Sequence, residues 1–121
     1  MYGKSVTLLE KSILIPNEET SLDESDCISL LDIVKLSITA RCHFGSDTTK
    51  PITIKILSSQ DAINWDTEPL LSFNLPCRPG EDVQKTRLMF PDVMYIKAKA
   101  QNPNTTGSVT NLVVSAFVAE P

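Results

Sequence analysis

A strict alternation of apolar and polar side chains runs from Val34 to Phe44, and it limits the fold more than any other feature of the chain. Successive side chains of an extended backbone point to opposite sides, so this period of two gives one apolar side and one wet side. Cys42 belongs to the apolar side and His43 to the polar side. The segment therefore predicts a half-buried β-strand.

The same pattern recurs along most of the chain, with turn-forming residues between the repeats, most clearly at 45–51 and 102–107. Further strands are predicted at 5–15, 52–58, 70–75, 83–90, 93–101 and 108–118, and residues 27–33 form either a strand or a short helix. About eight strands at this spacing predict an all-β fold, a two-sheet antiparallel β-sandwich that is jelly-roll-like. A chain of 121 residues is long enough for one core, so residues 1–121 are predicted to form a single domain.

Three details of this prediction can be tested directly in a structure. Met94, Ile96, Ala98 and Ala100 are expected to face the core from one strand, and Tyr95 to face outward. The acidic stretch 17–26 is expected to be a solvated loop, or at most one helical turn capped by Ser21 with Glu24 three residues on. A calcium site in this stretch is the less favoured alternative, because no EF-hand spacing is present.

The strands at the two ends of the chain are apolar on both sides. Residues 5–15 are too continuously apolar for clean alternation, and 108–118 carries Val113 and Phe117 opposite Leu112, Val114, Ala116 and Val118. A strand of this kind is covered on both sides. It is either a central strand beneath a loop or a surface that meets another subunit.

Charge and hydropathy exclude several classes of partner. The net charge is −4 and the basic residues are scattered, which argues against nucleic-acid binding. No apolar run approaches the roughly 20 residues that cross a bilayer, so no membrane partner is expected. Residues 1–4 do not begin an apolar signal peptide, so we expect a cytoplasmic protein, or a virion-associated one if it derives from a phage.

The chain has few side chains of the types that usually carry catalysis. His43 is the single histidine, and Cys27, Cys42 and Cys77 have no paired spacing and are predicted to be free thiols. A hydrolase that uses His43 with a cysteine is a third and weaker interpretation, because Cys42 points away from its neighbour on the strand. We therefore expect no enzyme activity, no metal and no cofactor.

The segment from Ser58 to Thr67 is the most distinctive in the chain. It resembles the strand-turn-strand element of discoidin-like, galactose-binding-like sandwiches, through Ser58, Asp61, Asn64 and Trp65, although Ala62 replaces the glycine usual in those families. The resemblance implies a glycan-binding end of the sandwich, with Trp65, Asp61, Asn64 and Tyr95 as candidate ligand-binding residues. The residues alone predict an Asp61-closed turn and a tryptophan folded over the end of the core.

The sequence favours a non-enzymatic structural or interaction module that assembles as a homo-oligomer or docks on a larger particle. Its protein partner would be a second copy or a component of that particle. In general style, the short acidic β-sandwich is similar to small prophage-encoded or virion-associated proteins. The alternative is a carbohydrate or small-ligand binding module of the galactose-binding-like type.

Overall fold

The computed structural model describes residues 2–121 and confirms an all-β architecture. Its strands are β1 Tyr2–Leu14, β2 Ile28–Ser29, β3 Lys35–Phe44, β4 Ile52–Ser59, β5 Leu71–Leu75, β6 Asp82–Met89, β7 Tyr95–Gln101 and β8 Val109–Glu120. Helical structure in these residues amounts to one 3₁₀ turn at Leu22–Glu24.

Two antiparallel sheets of four strands make up the sandwich. The first sheet has the order β1-β8-β3-β6 and the second the order β2-β7-β4-β5. Apart from β4 and β5, neighbouring strands come from distant parts of the chain, as in the pairing of β1 with β8 and of β4 with β7. This is jelly-roll topology, so the predicted fold class is confirmed.

The inward sides of the two sheets pack into one hydrophobic core. The alternation of β3 is confirmed, since all five of its inward residues are buried: Leu36, Ile38, Ala40, Cys42 and Phe44. In β7 the inward residues Ile96, Ala98 and Ala100 are buried as predicted. The prediction for Met94 is wrong: it is 40% exposed, because the backbone bends before Tyr95 and the strand has not yet begun.

A bulge explains the continuous apolar run of β1. The register with β8 shifts between Thr7 and Leu9, so that Leu8 and Leu9 are both buried although they are adjacent in sequence. An extra residue in one strand lets two neighbours turn to the same side, which plain alternation forbids. The run therefore encodes an irregularity in an otherwise half-buried strand.

Residues 17–26 close the seam between the two sheets. The Ser25 hydroxyl donates to the Leu8 carbonyl of β1 at 3.1 Å and accepts the Ala98 N–H of β7 at 2.9 Å. Thr20 exchanges hydrogen bonds with Ala100 farther along β7. The predicted single turn is present, and the Glu24 carboxylate accepts the Ser21 N–H at 2.8 Å. These hydrogen bonds satisfy backbone groups at the edge of β7 that the two-residue strand β2 does not reach.

Residues 27–33 form neither of the predicted elements over their full length. Strand β2 has two residues, which pair with Tyr95 and Ile96. The chain then turns at Leu31 and Asp32, and Asp32 takes a left-handed φ of 63°. Asp tolerates this conformation better than most residues, and a continuous strand or helix does not.

Candidate interaction surface

The outer face of the first sheet is an open surface built from alternate residues of its four strands. Antiparallel register lines these residues up in rows across β1, β8, β3 and β6. From one end of the sheet to the other, the rows are Ser5–Phe117–Ser37–Leu88, Thr7–Ser115–Thr39–Thr86, Glu10–Val113–Arg41–Gln84 and Ile13–Thr110–His43–Asp82. Side chains directly opposite each other in such a row share one face.

One end of this face is apolar and exposed. Phe117 is 47% exposed, Leu88 is 85% exposed, and Phe90, just beyond the end of β6, is 83% exposed. The Phe117 ring lies directly over Gly3 of β1, where a Cβ would collide with it. The glycine therefore lets the ring lie flat on the sheet and present its other side to solvent.

The middle of the face is small and hydroxylated. In the row Thr7–Ser115–Thr39–Thr86, the Thr39 and Thr86 hydroxyls lie 2.8 Å apart and bond across the two strands. Short side chains of this kind leave the sheet flat, which allows another surface to approach it closely.

The opposite end is polar and concave. A groove of about 670 Å³ opens there. It lies beside the irregularity in β8 at Asn111, where the register with β3 shifts and φ is 53°. His43 Nδ1 lies 2.7 Å from an Asp82 carboxylate oxygen across β3 and β6. Glu10 and Arg41 stand on the two sides of Val113 and, within residues 2–121, form no ion pair. Two strand spacings, roughly 10 Å, separate them.

The outer face of the second sheet has a different character. Two of its lysines share one carboxylate of the 17–26 loop: Glu19 accepts from Lys55 at 2.9 Å, and Lys99 lies 3.8 Å from its other oxygen. The Lys55 contact lowers the pKa of the Glu19 carboxyl below its ordinary value, and Lys99 adds to the effect. A polar, lysine-bearing surface of this kind gives an apolar partner little to bury.

The four candidate ligand-binding residues lie at one end of the second sheet. Ser59 of β4 pairs with Tyr95 on one side and forms a bridge to Trp65 on the other, so the two aromatic residues flank β4 at the same height along the sheet. Trp65 is half-buried, and the Lys97 ammonium lies 5.2 Å from the centre of its ring. Lys97 therefore occupies part of the ring face that a sugar would stack on.

Asp61 and Asn64, the polar residues among the four, form hydrogen bonds within the turn that contains them. One Asp61 oxygen accepts the N–H groups of Ile63 and Asn64 at 2.9 and 2.8 Å, and the other accepts the Asn64 side-chain amide at 2.9 Å. The hydrogen bonds from Asn64 and Ile63 hold the pKa of Asp61 far below its ordinary value. This is the turn-closing role predicted from the sequence, and it uses both carboxylate oxygens. Ligand binding by Asp61, Asn64, Trp65 and Tyr95 stays a prediction.

Two of the three thiols are shifted away from the thiolate form that a nucleophile paired with His43 would need. All three cysteines are free, as predicted, and burial raises the pKa of the Cys42 thiol to about 12. Cys27 lies at the surface, and partial desolvation of its thiol also raises the pKa of that group. A nucleophilic cysteine needs the opposite shift, toward thiolate at neutral pH. Within residues 2–121, no three His, Cys, Asp or Glu side chains are grouped as metal ligands.

The sequence does not predict the outer face of the first sheet as a unit. Alternation indicates Val113 and Phe117 as apolar residues on the second side of the last strand, but it does not connect them with Glu10, Arg41 or Leu88. Glu10, Arg41 and Leu88 are 31 or more positions apart from one another in the chain, and only the strand pairing brings them together. A period of two on each strand was the available signal, and it does not reveal which strands are neighbours.

Comparison with known proteins places the fold. No protein-family profile matches the chain, and no curated protein matches it. Murine APRIL aligns with 96% of this chain and 98% of its own, with a TM-score of 0.51 and 10% identity. The Eiger TNF of S. frugiperda aligns with 100% of this chain and 96% of its own, with a TM-score of 0.53 and 10% identity. A protein of the T13 viral particle of IBDV aligns with 98% of this chain but only 31% of its own, with a TM-score of 0.50 and 10% identity.

At this level of identity the likeness concerns the fold. The chain has a jelly-roll sandwich similar to that of TNF-like proteins, and the same fold is found in a component of a viral particle. The comparison agrees with the predicted β-sandwich and its virion-like style, but it does not support the discoidin-like family specifically. Residues 2–121 contain no helix that is long and apolar enough to cross a membrane.

Proposed function

We propose that this protein is a non-enzymatic interaction module that self-associates through the outer face of the first sheet. The observation behind the proposal is the exposed apolar end of that face, with Phe117, Leu88 and Phe90 in open solvent. Burying a side chain of this size contributes roughly 1.5–3 kcal/mol, so a few of them are sufficient to favour association. The flat hydroxyl row beside them lets a partner surface come close.

Three other observations support the proposal. Burial raises the pKa of the Cys42 and Cys27 thiols, and carboxylates of the acidic loop are ion-paired with lysines, so these groups are poorly suited to catalysis. The outer face of the second sheet is polar and carries Lys55, Lys97 and Lys99, so the two faces differ in the way expected of one contact surface and one solvent surface. The fold is also similar to that of part of a protein from the IBDV viral particle, which supports the virion-associated form of the proposal.

Light scattering coupled to size exclusion tests self-association. We expect the wild-type protein to elute as an oligomer and the Leu88→Ser/Phe117→Ser variant to elute as a monomer, because the variant has lost the apolar contact area. Leu88→Ser alone should weaken the oligomer by about tenfold or more, and its 85% exposure means that the isolated subunit should fold unchanged.

The matched control is Ile63→Ser, which removes an equally exposed apolar side chain from the 60–70 loop, away from this face. It should leave the oligomer intact. A wild-type protein that is strictly monomeric at high concentration would overturn the proposal, and so would an oligomer that the double variant leaves unchanged.

A further inference from the structure

The distribution of charge on the outer face of the first sheet is self-complementary about strand β8. Glu10 lies on one side of Val113 and Arg41 on the other, at the same height along the sheet. Both side chains are exposed, and neither has an ion-pair partner within residues 2–121. By contrast, Lys55 and Lys99 of the second sheet pair with Glu19, and Lys11 pairs with Glu18 and Glu24 of the 17–26 loop.

We infer that two copies of the chain pack face to face about a two-fold axis, with Glu10 of each copy paired with Arg41 of the other. The axis lies between the two outer faces and runs parallel to β8, directly above that strand. This inference rests on the proposed function and specifies its partner and geometry. A rotation of 180° about such an axis exchanges the two flanks of β8 and keeps the height along the strand. It therefore places an anion opposite a cation twice.

The same rotation gives a consistent match for the rest of the face. Residues on the axis meet their own copies, so Phe117 faces Phe117 and Val113 faces Val113. Across the axis, Thr7 of β1 faces Thr39 of β3, and Ser5 faces Ser37. Lys35 is the other cation that β1, β8 and β3 place on the outer face. It faces Gly3 of the second copy and so meets no like charge. An axis between β8 and β3 would instead place Arg41 over Val113, leaving both charges without a partner.

Complementary charges fix the register of an interface as well as adding to its affinity, and like charges brought together are strongly unfavourable. Aligned sheets pack about 10 Å apart, a distance that long Glu and Arg side chains can span from the two sides. Strand β6 extends beyond β1 of the second copy, where Leu88 and Phe90 can cover the edge of that strand.

Reciprocal charge reversal tests this geometry. Glu10→Lys places two cations together at both pairs, and Arg41→Glu places two anions together, so each single variant should weaken the dimer by at least about tenfold. The double variant Glu10→Lys/Arg41→Glu should recover wild-type affinity. An equimolar mixture of the two single variants should associate as a one-to-one heterodimer, because every pair in it again joins opposite charges.

Analytical ultracentrifugation of these variants, with Glu68→Lys/Arg78→Glu as a charge-matched control in exposed loops, separates this inference from the proposed function. Loss of association in both single variants with recovery in the double variant and the mixture supports the two-fold pairing. An oligomer larger than a dimer, or one that is insensitive to the reversals yet dissociated by Leu88→Ser/Phe117→Ser, overturns the pairing and leaves the proposed function standing. A monomeric wild-type protein overturns both.

Discussion

Two buried asparagines perform the most demanding individual roles in this fold. The Asn102 side-chain amide donates to the carbonyls of Leu14, Ile15 and Gly107, and its oxygen accepts the Asn104 N–H and side-chain amide. The Asn104 oxygen accepts the N–H groups of Thr49 and Lys50. The pair thus satisfies backbone groups of three loops at one end of the sandwich. The sequence marked this stretch only as a turn.

Replacement of Asn102 by alanine should lower the free energy of unfolding by about 2–4 kcal/mol, because several buried backbone groups lose their partners at once. Urea denaturation of the variant measures the loss. Thr105→Ala, in the same turn but exposed, is the control and should change stability by less than about 0.5 kcal/mol. Equal stability of the two variants would show that water replaces the amide.

At the scale of the element, the strands were readable from the sequence and their irregularities were not. Alternation placed β3 and β4 within a residue or two, since each has one buried and one open side. The bulge in β1 and the two-residue length of β2 were missed, because both depend on residues 17–26 bonding to Leu8 and to β7. Local pattern carries no information about such a distant partner. For the same reason, the outer face of the first sheet could be predicted as side-chain alternation but not as a set of rows.

The 17–26 loop should make stability sensitive to acid. Hydrogen bonding to Lys11, at 2.7 Å, and to the Ser21 N–H lowers the pKa of Glu24 below its ordinary value of 4.5. A carboxyl whose pKa is lower in the folded state stabilises that state above its unfolded pKa, and the contribution disappears as the pH falls through the folded pKa.

We therefore expect the urea midpoint of the wild-type protein to fall between about pH 6 and pH 3, and the Lys11→Met variant to show a smaller fall over the same range. Met keeps most of the length of the lysine side chain and removes its charge. Lys4→Met, which removes an exposed lysine without an ion pair among residues 2–121, is the control and should follow the wild type. Parallel curves for wild type and Lys11→Met would contradict this account.

At the scale of the whole molecule, almost every strand pairing joins segments that are far apart in the chain. β1 pairs with β8, β3 pairs with both β6 and β8, and β4 pairs with β7. Long loops must therefore close before most of the sheet can form, which slows folding in proteins of this kind. The eight-strand count was predictable from turn spacing, but this order of pairing was not.

We expect refolding from urea to take from about milliseconds to seconds, monitored by stopped-flow fluorescence of Trp65, whose half-buried ring reports assembly of the β4 and β7 region. The measurement is made at low protein concentration, so that subunit association is not included in the observed rate. Complete recovery of the native signal within tens of microseconds would contradict the view that long-range strand pairing limits the folding rate.

The pairing of the first strand with the last has a practical consequence. Tyr2 lies directly opposite Glu120, so any polypeptide fused before the one or after the other departs from the same corner of the molecule. A short peptide bridge could join these two positions and allow the backbone to be reopened at an exposed loop such as 60–70, giving a circularly permuted version. In a face-to-face pair, the four fusion points would cluster near one end, which makes the assembly a natural scaffold for displaying cargo on a single side.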